Sequence, residues 1–319
     1  MKLKIAAKNI PLLATISVFV LLFAGSSFFL KGFFSLQVFI NLFSENAFLG
    51  IAALGMTFVI LSGGIDLSVG ALIGFSSILL SRLIMDIGIH PVIAFAIVLL
   101  SGVILGTGMG CLIHFFNQPP FLITLAGMFL ARGLGFVIKM EAMPVRHEFY
   151  KQINALSLPL GHTAFIPFTA FIFVILAVIT WYISLYAKFG RNIYAMGGSE
   201  QSALLMGLPV RRTKIGVYAF SGFCASLAGI VYSLYTFSGN PTAGTTLELD
   251  AIAAVVIGGT PLIGGIGSPI GTVVGVLILG VIQTSIMFQG SLSSWWTKIV
   301  IGILLLAFIL LQNLFQRKL

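Results

Sequence analysis

Charge is the scarcest property of this sequence: only 8% of its 319 residues are Asp, Glu, Lys or Arg, where an ordinary soluble domain carries about 25%. Apolar residues make up 59%. Together these values exclude a water-soluble globule, which would have too little polar surface to face solvent. Cysteine is nearly absent. Cys111 and Cys224 stand in apolar stretches with no CxxC pair and no His at metal-ligand spacing, so both read as small helix-packing residues. Acidic residues number eight and form no cluster suited to acid–base work. His90, His114, His147 and His162 are scattered, three of them by loops or helix ends. No G-x-S-x-G, H-E-x-x-H, dinucleotide fingerprint or Walker GxxxxGK(S/T) occurs. The sequence therefore reads as no enzyme, with no metal and no cofactor bound by this chain. If ATP drives it, a partner subunit hydrolyses the ATP.

What the sequence has in quantity is long apolar runs. A helix needs about 20 apolar residues to cross a bilayer core. Ten runs bounded by polar or Gly/Pro punctuation are expected to be spans, near 10–30, 38–61, 69–86, 91–116, 121–138, 163–186, 214–237, 250–265, 269–288 and 297–315. The eighth is short and rich in Gly, and eight spans result if two of the short runs are re-entrant. The expected fold class is all-α: a polytopic transmembrane helical bundle forming one domain over 1–319. Lys2, Lys4 and Lys8 before the first run imitate a signal peptide, but that run lacks an A-x-A end and reads as an uncleaved span.

A net charge of +9 would suggest nucleic acid or another polyanion in a soluble chain. In a membrane protein it speaks first of topology, because cytoplasmic loops collect Lys and Arg. With the N-terminus inside, Lys188, Arg191, Arg211, Arg212 and Lys214 of an inner loop at 187–214 share a side with Arg317 and Lys318. Ten of the 17 basic residues then face the cytoplasm, and so do both termini. A loop at 139–162 falls outside, its three basic residues offset by Glu141 and Glu148. The expected surroundings are membrane lipid, and no nucleic acid.

The 36 glycines are poor helix formers in water, but in lipid small residues let helix backbones approach closely. Gly102, Gly106 and Gly110 make one smooth face, and Gly271, Gly275 and Gly280 a second; tight packing is the expected use of both. Two segments break the apolar pattern, Ser62-Gly63-Gly64-Ile65-Asp66-Leu67-Ser68 and the run from Gly258 and Gly259 to Gly264 and Gly265. Transporters unwind helices at such places around a polar pathway.

Polar groups within spans are candidates for function because lipid penalises them. Glu45, Asn46, Ser62, Asp66, Thr124 and Gln283 are the candidate pathway residues, with Thr284 and Arg132 beside them. Asp66 and Asp250 also suit N-caps of the helices that follow. Glu45 suits a polar channel or a partner subunit, and equally a position near the outer surface. Arg132 is expected to snorkel outward rather than meet another span. Arg82 and Asp86 are expected to pair at i, i+4, and Trp295 and Trp296 beside Lys298 to anchor the last span at the interface.

The inner loop is 28 residues, long for a simple connection. Its middle reads as a short amphipathic helix: Ser199 caps it, Ala203 and Gly207 keep one side thin, Leu204, Leu205 and Leu208 make it sticky, and Pro209 follows. Such a helix lies on a membrane surface or inserts into a groove of a soluble partner.

The stretches 55–70 (GMTFVILSGGIDLSVG), 189–198 (FGRNIYAMGG) and 249–260 (LDAIAAVVIGGT) resemble the permease subunits of bacterial ABC sugar importers of the ribose type, over nearly the whole chain. The stretches 46–50 (NAFLG), 123–129 (ITLAGMF) and 292–298 (LSSWWTK) resemble most closely one of the two permeases of the galactofuranose importer. The resemblance implies a multi-pass protein of the bacterial cytoplasmic (inner) membrane that works with a second homologous permease, a cytoplasmic ABC ATPase and an extracytoplasmic sugar-binding protein. It also implies that the short inner helix couples to the ATPase, with Glu200, Ala203 and Gly207 matching the family's Glu-Ala-Ala and Gly pattern and Arg191 beside it. One departure stands out: where the family has small polar residues and an Arg around the second Gly pair, this chain has Pro261, Ile263 and Ile266. The competing expectations are a self-contained secondary carrier or channel, which would need a membrane-embedded acid network, and a membrane scaffold without transport.

Overall fold

The computed structural model describes residues 2–160, 164–290, 293 and 295–316. His162, Arg317 and Lys318 lie outside the described residues. The helices α1 (Lys2–Phe29), α2 (Leu36–Glu45), α3 (Ala47–Leu61), α4 (Val69–Met85), α5 (Pro91–Phe115) and α6 (Pro120–Ile138) come first. A peripheral segment follows, with β1 (Met143–Pro144), α7 (Glu148–Ala155), β2 (Ser157–Leu160) and β3 (Ala164–Pro167). Then come α8 (Phe168–Tyr186), α9 (Lys188–Gly198), α10 (Glu200–Leu205), α11 (Val210–Thr236), β4 (Ser238–Gly239), α12 (Leu247–Ile257), α13 (Pro269–Gln289) and α14 (Trp295–Gln316). The strands are only straps, β1 antiparallel to β4 and β2 antiparallel to β3.

The all-α membrane bundle is as the sequence predicts, but three spans are corrected. Among the described residues, six helices are long and apolar enough to cross a membrane, seven if α2 and α3 count as one span. Those two are bent by 57° because the Asn46 amide donates to the Leu42 carbonyl at 2.9 Å, drawing on the acceptor that a continuous helix would use. The eighth span, expected at 250–265, is the 11-residue α12 followed by non-helical chain from Gly258 to Ser268. Eleven helical residues reach about 16 Å, roughly half of a bilayer core. Gly258 and Gly259 end the helix, and Gly259, Gly264, Gly265 and Gly267 all have positive φ, a region costly for other residues. The seventh span begins at Val210 rather than Lys214, with Pro209 just before its first turn, so Arg211, Arg212 and Lys214 ride on α11 and not in a loop.

The centre of the bundle is α3, apolar on all sides as a fully enclosed helix must be. All of its residues are buried except Phe48. Around it pack α11, α12, α8 and α13. Glycine sets the closest approaches: a Cβ on Gly110 would lie 2.9 Å from the Ile215 Cα of α11, and one on Gly55 would lie 2.7 Å from the Cys224 Cβ. On α13, Gly271 and Gly275 face the Gly258 and Ala254 carbonyls, and Gly280 seats the Asn46 amide. Both glycine rows therefore pack helices, as expected. So does Cys224, which is buried.

The bundle has two ends. One carries α9 and α10 and receives both helix breaks. The other carries α7, the 237–246 loop, the start of α2, and the ion pair of Asp250 with Lys298. Ser26 meets Ser285 and Thr15 meets the Ile257 carbonyl, so α1 runs parallel to α13 and starts at the α10 end.

Candidate functional site

The last carbonyls of a helix have no intrahelical donor, and at the end of α3 this need brings three segments together. The Leu61 carbonyl accepts the Gly265 N–H at 2.9 Å, so the first helix break is bonded to the second. A Cβ on Gly264, whose φ is +88°, would lie 2.7 Å from the Gly63 nitrogen. The end of α9 closes the junction: a Cβ on Gly197 would strike the Leu61 carbonyl and lie 2.6 Å from the Gly265 nitrogen, and one on Gly265 would lie 2.9 Å from the Gly198 nitrogen. Only residues without side chains let three backbones meet like this. The Tyr194 hydroxyl of α9 adds a bond to the Gly267 carbonyl at 2.9 Å.

Asp66, fully buried, holds the first break to the helices around it. One carboxyl oxygen accepts the Ser68 N–H at 2.9 Å and the Ser68 hydroxyl at 2.6 Å, and the other accepts the Ser221 hydroxyl of α11 at 2.7 Å. The expected N-cap role is not seen: the cap of α4 is Ser68, and Asp66 accepts the N–H and hydroxyl of that residue rather than an N–H of the helix. Thr124 donates to the Ile65 carbonyl at 3.3 Å and to Pro120 at 2.9 Å, fixing α6 to the same break. Ser62 bonds back to Val59 at 2.7 Å. Two buried hydroxyls here, Tyr218 beside Gly64 and Thr260 beside Gly267, have no hydrogen-bond partner among the described residues.

From this junction the chain passes directly into α10. The Ser199 hydroxyl accepts the Ser202 N–H at 3.1 Å, capping the helix as expected. Ala203 is fully buried against Met196 and Val210, while Leu204, Leu205 and Met206 are 62%, 82% and 67% exposed. Gly207, at φ +73°, turns the chain away with open space around it. Glu200 pairs with Lys214 of α11. Arg191 is exposed and donates to the Tyr186 carbonyl at 3.2 Å. The result is a sticky apolar ridge with a basic surround, seated on the glycine junction.

At the opposite end the remaining candidates separate. Glu45 is half-buried where α2 meets α3, within electrostatic reach of Tyr235. Asn46 is buried against Gly280, and Gln283, one turn further along α13, is exposed. Arg132 does not snorkel: its guanidinium donates to the Pro241 and Ala243 carbonyls at 2.6 and 2.9 Å, pinning the 237–246 loop to α6. Asp250 is not an N-cap, because α12 starts three residues earlier and the carboxylate binds Lys298 instead. Arg82 and Asp86 pair at 3.0 Å as expected. Burial pushes the Tyr150 hydroxyl of α7 up from the usual phenol range while it meets Ser233 at 3.2 Å. The sequence reading passed over Tyr194, Gly197 and Tyr218. The Gly197-Gly198 pair just ahead of a capped helix was the available signal for the first two.

An all-helical bundle with two glycine breaks gathered beneath a short exposed amphipathic helix is the build of a polytopic solute permease. The family model described as "Branched-chain amino acid transport system / permease component" matches residues 38–309, and the chain belongs to that family. It is 48% identical to the inner membrane ABC transporter permease protein YjfF of Escherichia coli, over 96% of this chain and 92% of that one. The ribose import permease protein RbsC of Bacillus subtilis is 41% identical, with 86% and 84% covered. The fructose import permease protein FruG of Bifidobacterium longum is 37% identical, with 97% and 92% covered. No solved structure matches. The chain is a multi-pass inner-membrane protein and a permease component of the ABC type.

Proposed function

We propose that this chain forms the translocation pathway of an ATP-driven monosaccharide importer, with α10 as the element that an ATPase subunit grips. The observation that carries the reading is the continuity from Leu204 and Leu205 on the exposed ridge to the Gly197–Leu61–Gly265 junction at both helix breaks. ATP-driven closure of the ATPase moves α10, and the breaks that follow α3 and α12 are places where the backbone bends without losing helical bonds. The basic residues Lys188, Arg191, Arg211 and Arg212 favour the cytoplasm for this end. A sugar, rather than the branched-chain amino acid of the family description, is supported by the ribose and fructose relatives. Within the sugars, the stretches 46–50, 123–129 and 292–298 favour galactofuranose. A second permease and an extracytoplasmic sugar-binding protein complete the assembly.

Gly207→Trp tests the coupling role: a Cβ there meets nothing within 4 Å, and the φ of +73° makes any side chain strain the turn that follows α10. The variant is expected to assemble with the ATPase yet lose sugar-stimulated ATP turnover; normal turnover sinks the assignment. The alternative of an ion-driven carrier finds little support, because among the described residues Asp66 is tied to serines and Glu45 stands apart from it.

A further inference from the structure

We infer that Glu45, Phe48, Tyr232 and Tyr235 form a sugar-handling site at the end of the pathway opposite α10. The inference rests on the proposed function and names where the neutral ring touches this chain. Phe48 is the one residue of α3 that is only partly buried. Its ring stands 5.6 Å from Tyr232, edge to face, and 6.5 Å from Tyr235. Tyr235 is 48% exposed, and Glu45 at the α2–α3 bend lies within its electrostatic reach. The Glu45 carboxylate has no hydrogen-bond or ion-pair partner among the described residues.

Each part has a simpler use, but the combination does not. Tyrosines at a membrane boundary commonly face headgroups, and a Phe in a bundle commonly packs. A half-buried carboxylate beside this ring cluster, with no ion-pair partner among the described residues, is costly for a fold. Its chemistry fits a neutral polyol: a carboxylate accepts two adjacent hydroxyls in short charge-assisted bonds, and aromatic faces cover the apolar C–H side of a sugar ring. An inorganic anion would be met by charge of its own sign.

The test uses the whole importer, reconstituted in proteoliposomes with its ATPase and the sugar-loaded binding protein, and reads sugar molecules imported per ATP hydrolysed. Glu45→Gln and Tyr235→Leu are each expected to lower that ratio about tenfold, the effect of losing a charge-assisted bond or a stacking face. Tyr235→Phe is expected to keep most of it, since the ring remains. A defect of folding or assembly lowers import and hydrolysis together and leaves the ratio of the surviving complexes as in the wild type, so an unchanged ratio in both Glu45→Gln and Tyr235→Leu overturns the site. A wild-type complex with no ATP-dependent sugar import overturns the proposed function instead.

Discussion

The two ends of the bundle solve different problems. At the α10 end backbone meets backbone: Leu61, Gly63, Gly197, Gly264 and Gly265 touch without side chains between them, and the one exposed acid, Glu200, is matched by Lys214. At the α7 end side chains hold loops in place, with Arg132 on two carbonyls, Lys298 on Asp250, Arg82 on Asp86 and Asn154 on the Leu234 carbonyl at 2.9 Å. Six of the eight acidic residues stand at that end. A glycine junction has no rotamers to absorb displacement and so transmits it, whereas a loop held by long charged side chains yields locally. The difference teaches which end is built to move as a unit and which to receive cargo.

The largest effect should come from filling the junction. Gly197→Val puts a methyl-bearing carbon against the backbones of Leu61 and Gly265, and we expect at least a tenfold loss of ATP-dependent uptake together with a lowered melting temperature of the detergent-solubilised complex. Gly133→Val, a glycine with nothing within 4 Å, should leave both unchanged; equal damage from the two would erase the contrast. Next, Arg132→Met removes two bonds to buried carbonyls at the α7 end and should cost about 2 kcal/mol in thermal or denaturant unfolding, with the ratio of import to hydrolysis preserved. Smallest are the paired changes Lys298→Ala and Lys214→Ala. Each breaks one partly exposed ion pair and should cost about 0.5 kcal/mol of stability or less. Only Lys214→Ala, which frees Glu200 of α10, should lower sugar-stimulated hydrolysis, by a few-fold.

Much of the fold was legible because lipid leaves few solutions: apolar runs must be helices, and nearly every run that the sequence offers contains one. The exceptions arise where side chains or glycine compete with the helical ladder. Asn46 breaks the second span through its own amide, and Gly258 and Gly259 end the eighth early. The glycine breaks at 62–68 and 258–265 could be seen in the sequence, but their meeting could not, since residues 61 and 265 are joined only by the tertiary fold. Arg132 was misjudged for the same reason: its partners are carbonyls of a loop more than a hundred residues away, and carbonyls leave no mark in composition. The capped α10 was readable because caps and stops are local.

The most direct test of the account is uptake of radiolabelled sugar into proteoliposomes, measured for this chain alone and for the chain assembled with a second permease, an ABC ATPase and a sugar-binding protein. The account predicts uptake only in the full assembly and only with ATP inside the compartment that α10 faces. Uptake by the chain alone, driven by a Na+ or H+ gradient without ATP, would contradict it.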